Sequence, residues 1–563
     1  MHYLCLCEDR LHLGIKINSY LFCISLSLHY LCPITKEQIA MSQRIYPIGV
    51  QNFEKVRKDG YFYVDKTALI HQLVTTGCYY FLSRPRRFGK SLLISTLQAY
   101  FEGKRELFTG LAMEKLEQKW TVHPVLHLDL NIEKYDSVES LENILESNLS
   151  RWEGIYGANP SDRSFSLRFA GIIRRACEQT GQRVVVLVDE YDKPLLQSIG
   201  NKEVQTELRN MLKPFYGVLK TMDECIRFAL LTGVTKFGKV SVFSDLNNLM
   251  DITMDNRYSE ICGISEQELH TFFKEDIEEL AIRQQTTVAD ITEKLRLRYD
   301  GYHFCPDTGG MYNPFSLLNT FARMKFGSYW FETGTPTYLV ELLRNNDYNL
   351  EEVNGAVATE DMLSGVDTAD TDPIPVIFQS GYLTIKGYDP EFGIYTLGYP
   401  NKEVEEGFIR FLAPAYTAMP NEGKSVFAIQ NFIREVRTGD IDGFFTRLRS
   451  FFSDTTYELV RQQELHYSNV LYIVFRLMGF YTQVEYHTSN GRIDLVLQTA
   501  DYIYVMEFKL NGTAEEALQQ INDKGYALPF EKDPRTLYKI GVNFSPETRN
   551  IDKWVVEISP VIV

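Results

Sequence analysis

The feature that most constrains this chain is a Gly-Lys-Ser turn between a β-prone run and a helix. Cys78–Ser83 (CYYFLS) is aromatic and β-prone, and Ser91–Phe101 (SLLISTLQAYF) has the apolar spacing of a helix. Backbone N–H groups at such a helix start bind phosphate, a lysine pairs with its charge, and a hydroxyl holds Mg²⁺. The pattern therefore predicts a nucleotide site formed by Gly89, Lys90 and Ser91, with Ser91 as a metal ligand.

The turn departs from the usual phosphate-binding pattern at one position. Ser83–Ser91 (SRPRRFGKS) matches the second half of G-x-x-x-x-G-K-[ST], with Arg84 at the first glycine. Because arginine tolerates a positive φ poorly, the loop is expected to turn differently there. Arg86 and Arg87 add positive charge, which either binds phosphate or pairs with the acidic surface.

A second motif supplies the carboxylates that nucleotide chemistry needs. Val184–Glu190 (VVVLVDE) is an apolar strand ending in two acidic residues. Asp189 is expected to hold Mg²⁺ through water, and Glu190 to polarise the attacking water. Thr232 ends the next strand candidate, where it either senses the terminal phosphate or forms a turn.

Near-continuous apolar strands separated by helices indicate an α/β fold with a parallel sheet covered on both faces. The sequence predicts a P-loop NTPase-type region at 41–260, a helical lid with a winged-helix-like element at 261–427, and a small α/β domain at 428–563. The middle region contains a hairpin within 379–397.

The first forty residues do not belong to the fold predicted for the rest of the chain. Residues 17–34 form an apolar run that fits a signal sequence or a marginal membrane span only weakly. We expect residues 1–40 to be a non-native extension, with the true start at Met41. The alternative, a membrane-anchored ATPase, depends wholly on this segment. The scattered cysteines favour a reducing compartment, so a cytoplasmic protein without a membrane partner is predicted.

The net charge of −16 argues against an extended non-specific grip on nucleic acid. It leaves room for a local basic cleft. Any site acting on DNA or RNA is therefore expected to be a focused one.

Five blocks in order resemble the AAA-ATPase-like family of bacterial proteins over roughly 45–251. They are YPIGV (46–50), YVDK (63–66), RPRRFGKSL (84–92), DEYDKP (189–194) and LTGVTKFGKV (231–240). Within that family the arginine-rich turn is the usual P-loop variant. The resemblance implies ATP binding; hydrolysis and biological output are less strongly implied.

The C-terminal region carries a second candidate site. If Arg492–Gln498 and Tyr502–Leu510 form a tight hairpin, Asp494 lies opposite Glu507, with their Cβ atoms about 4.5–5.5 Å apart. Strand alternation then places Lys509 on the same face as Glu507. Charges on a half-buried strand are costly unless paired or bound to metal, although an ion-pair ladder on the surface remains an alternative.

Asp followed by Glu-x-Lys one strand later resembles the PD-(D/E)XK nucleases. The resemblance implies that Asp494 and Glu507 bind Mg²⁺ or Mn²⁺ and that Lys509 assists catalysis. It further suggests Glu464 as another metal ligand and Gln520 as an auxiliary polar residue.

Two functions remain open at this point. The first is an ATP-binding protein, a probable ATPase, whose lid controls a Mg²⁺-dependent nuclease acting on DNA more than RNA. The second is an ATP-dependent switch whose degenerate nuclease fold docks a partner. The sequence leaves both an enzyme and a binding protein open, and a homo-oligomer is compatible with either function.

Overall fold

The computed structural model describes residues 44–199, 201–236, 248–331, 337–363, 365, 372–417, 422–453, 463–479, 483–489, 492–509, 512–545, 547–548 and 550–559. The expectations for residues 1–40, including the apolar run 17–34, lie outside these residues. Among the helices that are described, none is both long and apolar enough to cross a membrane.

A five-stranded parallel sheet is the framework of the N-terminal half. The apolar runs predicted a parallel sheet and four of these strands, but not β5. The strand order is β2-β3-β4-β1-β5, and every neighbouring pair runs parallel. All five residues of β1 and all six of β3 are buried, as expected for strands covered on both faces. The strands are β1 Tyr79–Ser83, β2 Val125–Asp129, β3 Val184–Asp189, β4 Ile226–Gly233 and β5 Met250–Asp251.

Helices connect and cover these strands. They are α1 Phe53–Lys58, α2 Thr67–Thr76, α3 Lys90–Phe101, α4 Ala112–Leu116, α5 Val138–Tyr156, α6 Phe165–Thr180, α7 Lys193–Gln197 and α8 Lys202–Thr221. The sequence places α3 directly after β1, so its N-terminus opens at the carboxyl edge of the sheet. Phosphate-binding backbone groups and the carboxylates that end β3 therefore share one edge.

The middle region combines helices with short antiparallel strands. Its strands are β6 Ile264–Ser265, β7 Met311–Tyr312, β8 Val357–Thr359, β9 Thr384–Asp389 and β10 Ile394–Gly398. Its helices are α9 Glu266–Phe272, α10 Lys274–Gln284, α11 Val288–Tyr299, α12 Pro314–Arg323, α13 Thr337–Asn345, α14 Glu360–Leu363, α15 Ile374–Gln379 and α16 Lys402–Tyr416. The predicted hairpin is confirmed as β9–β10, and β8 adds a third strand that the sequence did not indicate.

The C-terminal region is a second α/β unit with a mixed five-stranded sheet. Its helices are α17 Glu422–Thr438, α18 Ile441–Ser453, α19 Gln463–Gly479 and α20 Ala514–Lys524. Its strands are β11 Gln483–Ser489, β12 Arg492–Gln498, β13 Tyr502–Lys509, β14 Thr536–Ser545 and β15 Asn550–Ser559, in spatial order β11 to β15. Only the β13–β14 pair is parallel, with α20 as its crossover. The edge strands β11 and β15 were not predicted.

A glycine allows α20 to pack closely on this sheet. A Cβ atom on Gly541 would lie 2.1 Å from the carbonyl oxygen of Ala514 and 2.4 Å from the amide nitrogen of Leu518. Both are backbone atoms of α20, so any side chain at this position would displace the helix. Gly541 is the register partner of Glu507, which places the closest helix contact beside the candidate nuclease residue.

Candidate functional site

A cavity of about 920 Å³ opens at the carboxyl edge of the parallel sheet. Six of the predicted nucleotide-site residues line it: Arg86, Arg87, Gly89, Lys90, Ser91 and Glu190. Lys134 and Lys193 bring further positive charge to the wall. Asp136, Glu190 and Glu341 also line the cavity, so five basic residues face three acidic ones. The volume is of the size that encloses a small ligand, and the excess of positive charge suits an anionic one.

The loop 84–89, which we predict to bind phosphate and call the phosphate-binding loop, takes its left-handed turns at Arg87 and Gly89. Their φ angles are 65° and 97°, and Gly89 is the residue immediately before α3. Lys90 is buried, and its Nζ lies 3.0 Å from the carbonyl oxygen of Arg84 and 3.3 Å from that of Pro85. The same Nζ lies 3.3 Å from Glu190 Oε1. Lys90 therefore bridges the loop and the Glu190 carboxylate, which immediately follows β3.

Arg84 does not adopt the positive φ that the first glycine of the pattern would allow. Its guanidinium is buried instead, donating to the carbonyl oxygens of Thr253 at 2.8 Å and Tyr258 at 3.2 Å. The Arg84 Cζ atom stands 3.9 Å from the ring centroid of Phe304. Burial lowers the pKa of this guanidinium. Arg84 thus anchors the loop to the chain after β5 and to the middle region.

Asp189 and Thr232 lie just beneath the cavity rather than among its lining residues. The Thr232 hydroxyl is buried and donates to Asp189 Oδ1 at 2.7 Å. This bond fixes the orientation of the Asp189 carboxylate. The sequence left two roles open for Thr232, as a turn former or as a phosphate sensor. The hydrogen bond adds a third role, in which Thr232 supports the Asp189 side chain.

Several cavity residues escaped the sequence-based prediction. Pro47–Gln51 forms one wall, and its YPIGV block was noticed only as part of the family resemblance. Pro314, Phe315 and Leu318, at the start of α12, form another wall from the middle region. No local pattern marks these residues as nucleotide-binding, because their position depends on tertiary packing.

The YVDK block has a structural role. Asp65 accepts hydrogen bonds from the backbone and hydroxyl of Thr67, at 2.8 and 2.6 Å, and from the backbone of Ala112 at 2.8 Å. Lys66 Nζ lies 2.6 Å from Glu268 Oε2 on α9. The Asp65 contacts hold α2 to α4 within the N-terminal half, and the Lys66–Glu268 ion pair joins this half to the middle region.

Trp330 links the phosphate-binding loop to the middle region. Its indole Nε1 donates to the carbonyl oxygen of Arg86 at 3.0 Å, and its backbone N–H donates to Glu403 Oε1 at 3.0 Å. The Ser316 hydroxyl donates to the other oxygen of Glu403 at 2.7 Å. Glu403, in the first turn of α16, therefore joins the loop, α12 and α16 through one buried carboxylate.

We expect Glu403 to make stability depend on pH. Burial raises its pKa to about 7 from 4.5. Because the folded-state pKa is raised, this contribution to stability is complete below about pH 4.5 and is lost as pH rises to about 7, at most about 3 kcal/mol. Glu403→Gln should remove the effect, so the stability of the variant relative to wild type should rise between about pH 5 and about pH 8.

Urea denaturation at the two pH values measures the difference. Glu178→Gln, at an exposed position of α6, provides the control and should behave as wild type at both pH values. If Glu403→Gln and wild type lost the same stability on raising the pH, the assigned pKa of Glu403 would be wrong.

The candidate nuclease residues lie on neighbouring strands. In the β12–β13 ladder, Asp494 is the register partner of Glu507, as the hairpin prediction requires. Glu507 is fully buried, and Lys509, two residues later, is half-buried. A buried carboxylate beside a second acidic position is an arrangement suited to a hard cation such as Mg²⁺, which prefers oxygen ligands.

The two further C-terminal predictions fall on the flanking helices. Glu464 is the second residue of α19, and Gln520 is a half-buried residue of α20. Within the residues whose side chains are described, no group of three or more His, Cys, Asp or Glu side chains forms a ready metal cluster. The roles of these two residues stay predictions.

Comparison with known proteins supports the predicted family of both the N-terminal and the C-terminal region. The family described as predicted AAA-ATPase matches residues 47–243, and the PD-(D/E)XK nuclease superfamily matches residues 462–554. An uncharacterized protein in the vnfD 5′ region of Azotobacter chroococcum mcd 1 is 37% identical over 528 residues, covering 92% of this chain and 99% of that protein.

A solved structure, the Aeropyrum pernix ORC2 protein in ADPNP–ADP complexes, is 12% identical. It covers 62% of this chain and 93% of its own, with a TM-score of 0.22, too low to bear on function. The family matches and the near-full-length relative are sufficient to assign the family of this chain. The chain belongs to the predicted AAA-ATPase family and carries a C-terminal domain of the PD-(D/E)XK nuclease superfamily.

Proposed function

We propose that the chain binds ATP in the cavity and that its C-terminal domain is a Mg²⁺-dependent nuclease acting on DNA in preference to RNA. The pairing of Asp494 with Glu507 is the observation that carries the nuclease assignment. It brings two acidic positions together within a largely apolar sheet, and Lys509 follows at the spacing of the superfamily.

The donor set fits the implied cation at each site. The Ser91 hydroxyl and the Glu190 carboxylate line the cavity, and the Asp189 carboxylate lies buried behind its lining. All three are hard oxygen donors, and Mg²⁺ would offset phosphate charge there. In the C-terminal domain, Asp494 and Glu507 would hold Mg²⁺ or Mn²⁺, which lowers the pKa of a bound water. Lys509 would then balance negative charge on the scissile phosphate.

Nucleotide binding has its own structural support. The cavity wall carries Arg86, Arg87 and Lys90 within a chain whose net charge is −16, so positive charge is concentrated where phosphates would bind. Glu190, already beside Lys90, would exchange this partner for the attacking water when phosphates engage the lysine. Because Glu190 would then be free to polarise water, we include ATP hydrolysis in the proposal.

A series of contacts supports control of the nuclease by nucleotide. Trp330 joins the phosphate-binding loop to α16 through Glu403. Two residues further along α16, Glu405 lies 3.6 Å from Arg476 of α19 in the nuclease domain. A shift of the loop would therefore be felt at α16 and α19.

Incubation of the protein with supercoiled plasmid, with and without Mg²⁺, Mn²⁺ and ATP, tests the proposal. We expect metal-dependent nicking that is lost in Asp494→Ala and that changes in rate when ATP is added. A matched single-stranded RNA substrate tests the preference for DNA. Absence of cleavage by protein that binds ATP would reject the nuclease assignment.

The full burial of Glu507 favours a second candidate function. A carboxylate with 0% exposure is screened from substrate, as in a degenerate nuclease fold that docks a partner. In that case ATP would switch the docking surface, and DNA binding would show no dependence on Mg²⁺. A DNA-binding titration with increasing Mg²⁺ therefore separates the two candidates.

A further inference from the structure

The turn after β3 buries its two middle side chains and leaves the two flanking ones at the cavity. Tyr191 is buried, and its backbone N–H donates to the carbonyl oxygen of Thr232 at 2.9 Å. Asp192 is also buried, accepting from the backbone of Thr235 at 2.6 Å and from its hydroxyl at 2.7 Å. These contacts hold the turn, while Glu190 and Lys193 both line the cavity.

Lys193 is held in place by neutral oxygen atoms. Its Nζ donates to the carbonyl oxygen of Asn131 at 2.6 Å and to Asn131 Oδ1 at 3.0 Å. Lys90, by contrast, lies 3.3 Å from the Glu190 carboxylate. Across the described part of the chain, no carboxylate lies within ion-pair distance of Lys193, and Glu190, Asp129 and Glu133 act on its charge only from farther away. Its ammonium group is therefore not bound to one carboxylate when a ligand enters the cavity.

The position of Lys193 relative to Glu190 is fixed by the backbone. Its N–H donates to the carbonyl oxygen of Glu190 at 3.1 Å, closing a single turn between them. The water polarised by Glu190 would attack the terminal phosphate in line, so groups beside Glu190 lie near that phosphate. Lys90, which contacts the carbonyl oxygens of the loop itself, lies nearer the phosphates that the loop encloses.

We propose that Lys193 binds the terminal phosphate of a nucleoside triphosphate and makes the site distinguish triphosphate from diphosphate. This inference rests on the proposed nucleotide binding and adds the residue that reads the third phosphate. The diphosphate lacks the group that Lys193 contacts.

Calorimetric titration of the full chain with Mg²⁺ and either AMP-PNP or ADP tests the assignment. Loss of one charge-assisted contact corresponds to a roughly 10- to 100-fold weaker Kd. Lys193→Met should show that loss for AMP-PNP, with the Kd for ADP changed by less than about twofold. Lys193→Gln, which can still donate a hydrogen bond to Asn131, should show the same selective loss.

Lys220→Met, at an exposed position of α8, is the matched control and should leave both affinities unchanged. Equal weakening of both nucleotides in the Lys193 variants, or no weakening of AMP-PNP, would overturn the assignment. Wild-type protein that binds neither nucleotide would instead reject the proposed function, and this inference with it. Retained thermal unfolding cooperativity in the variants confirms that they are folded.

Discussion

Replacing Glu507 by glutamine should lower Mg²⁺-dependent plasmid cleavage at least ~100-fold, because an amide cannot supply the charge that a carboxylate ligand gives a divalent cation. The substitution keeps the size of the side chain in a fully buried position, so the domain should remain folded. Nicking rates under single-turnover conditions measure the effect, and nucleotide affinity should match wild type.

Glu557→Gln provides a control on the same sheet. Glu557 lies on the edge strand β15 and pairs with Lys539 at 3.0 Å, away from the Asp494–Glu507 pair. This variant should cleave as wild type does. Equal activity in the Glu507 variant would show that metal binding and cleavage do not depend on this carboxylate.

Replacing Lys90 by methionine should weaken ATP binding by roughly 100-fold. Methionine fills a similar volume in this buried position, but it cannot pair with phosphate or with Glu190. Titration with a fluorescent ATP analogue measures the loss. Metal-dependent cleavage without ATP should persist, because the nuclease residues lie in a separate domain.

Any ATP response of cleavage should disappear in the Lys90 variant. Lys115→Met, on the short helix α4 and outside the cavity lining, should retain both the affinity and the response. An unchanged ATP affinity in Lys90→Met would refute the placement of the phosphates at the loop.

Local pattern predicted the central parts of both sheets. The register of β12 and β13 followed from the chain reversal around Ala500 and Asp501, because a hairpin fixes which residues face each other. The edge strands β11 and β15 were missed, since Gln483–Ser489 (QVEYHTS) and Asn550–Ser559 (NIDKWVVEIS) contain many polar residues and lack the continuous apolar character of the central strands.

Side-chain contacts between residues far apart in the sequence could not be predicted from local pattern. Arg84 was expected to disturb the loop through its φ angle, whereas its side chain anchors the loop to the carbonyl oxygens of Thr253 and Tyr258. Trp330 and Glu403 are separated from the loop by more than two hundred residues, and no spacing rule relates them. Lys193 belongs to the DEYDKP block, but the packing of Tyr191 and Asp192 determines that its side chain lies at the cavity.

The cavity wall supplied by Pro314, Phe315 and Leu318 has a consequence for how this architecture can be inherited. The matched ATPase segment ends at residue 243, so part of the wall of the cavity proposed to bind nucleotide is encoded about seventy residues beyond it. A recombination event that moved the segment alone would leave the pocket open and an apolar face uncovered. A segment that carried the whole cavity wall would therefore have to extend into the middle region, at least as far as Leu318.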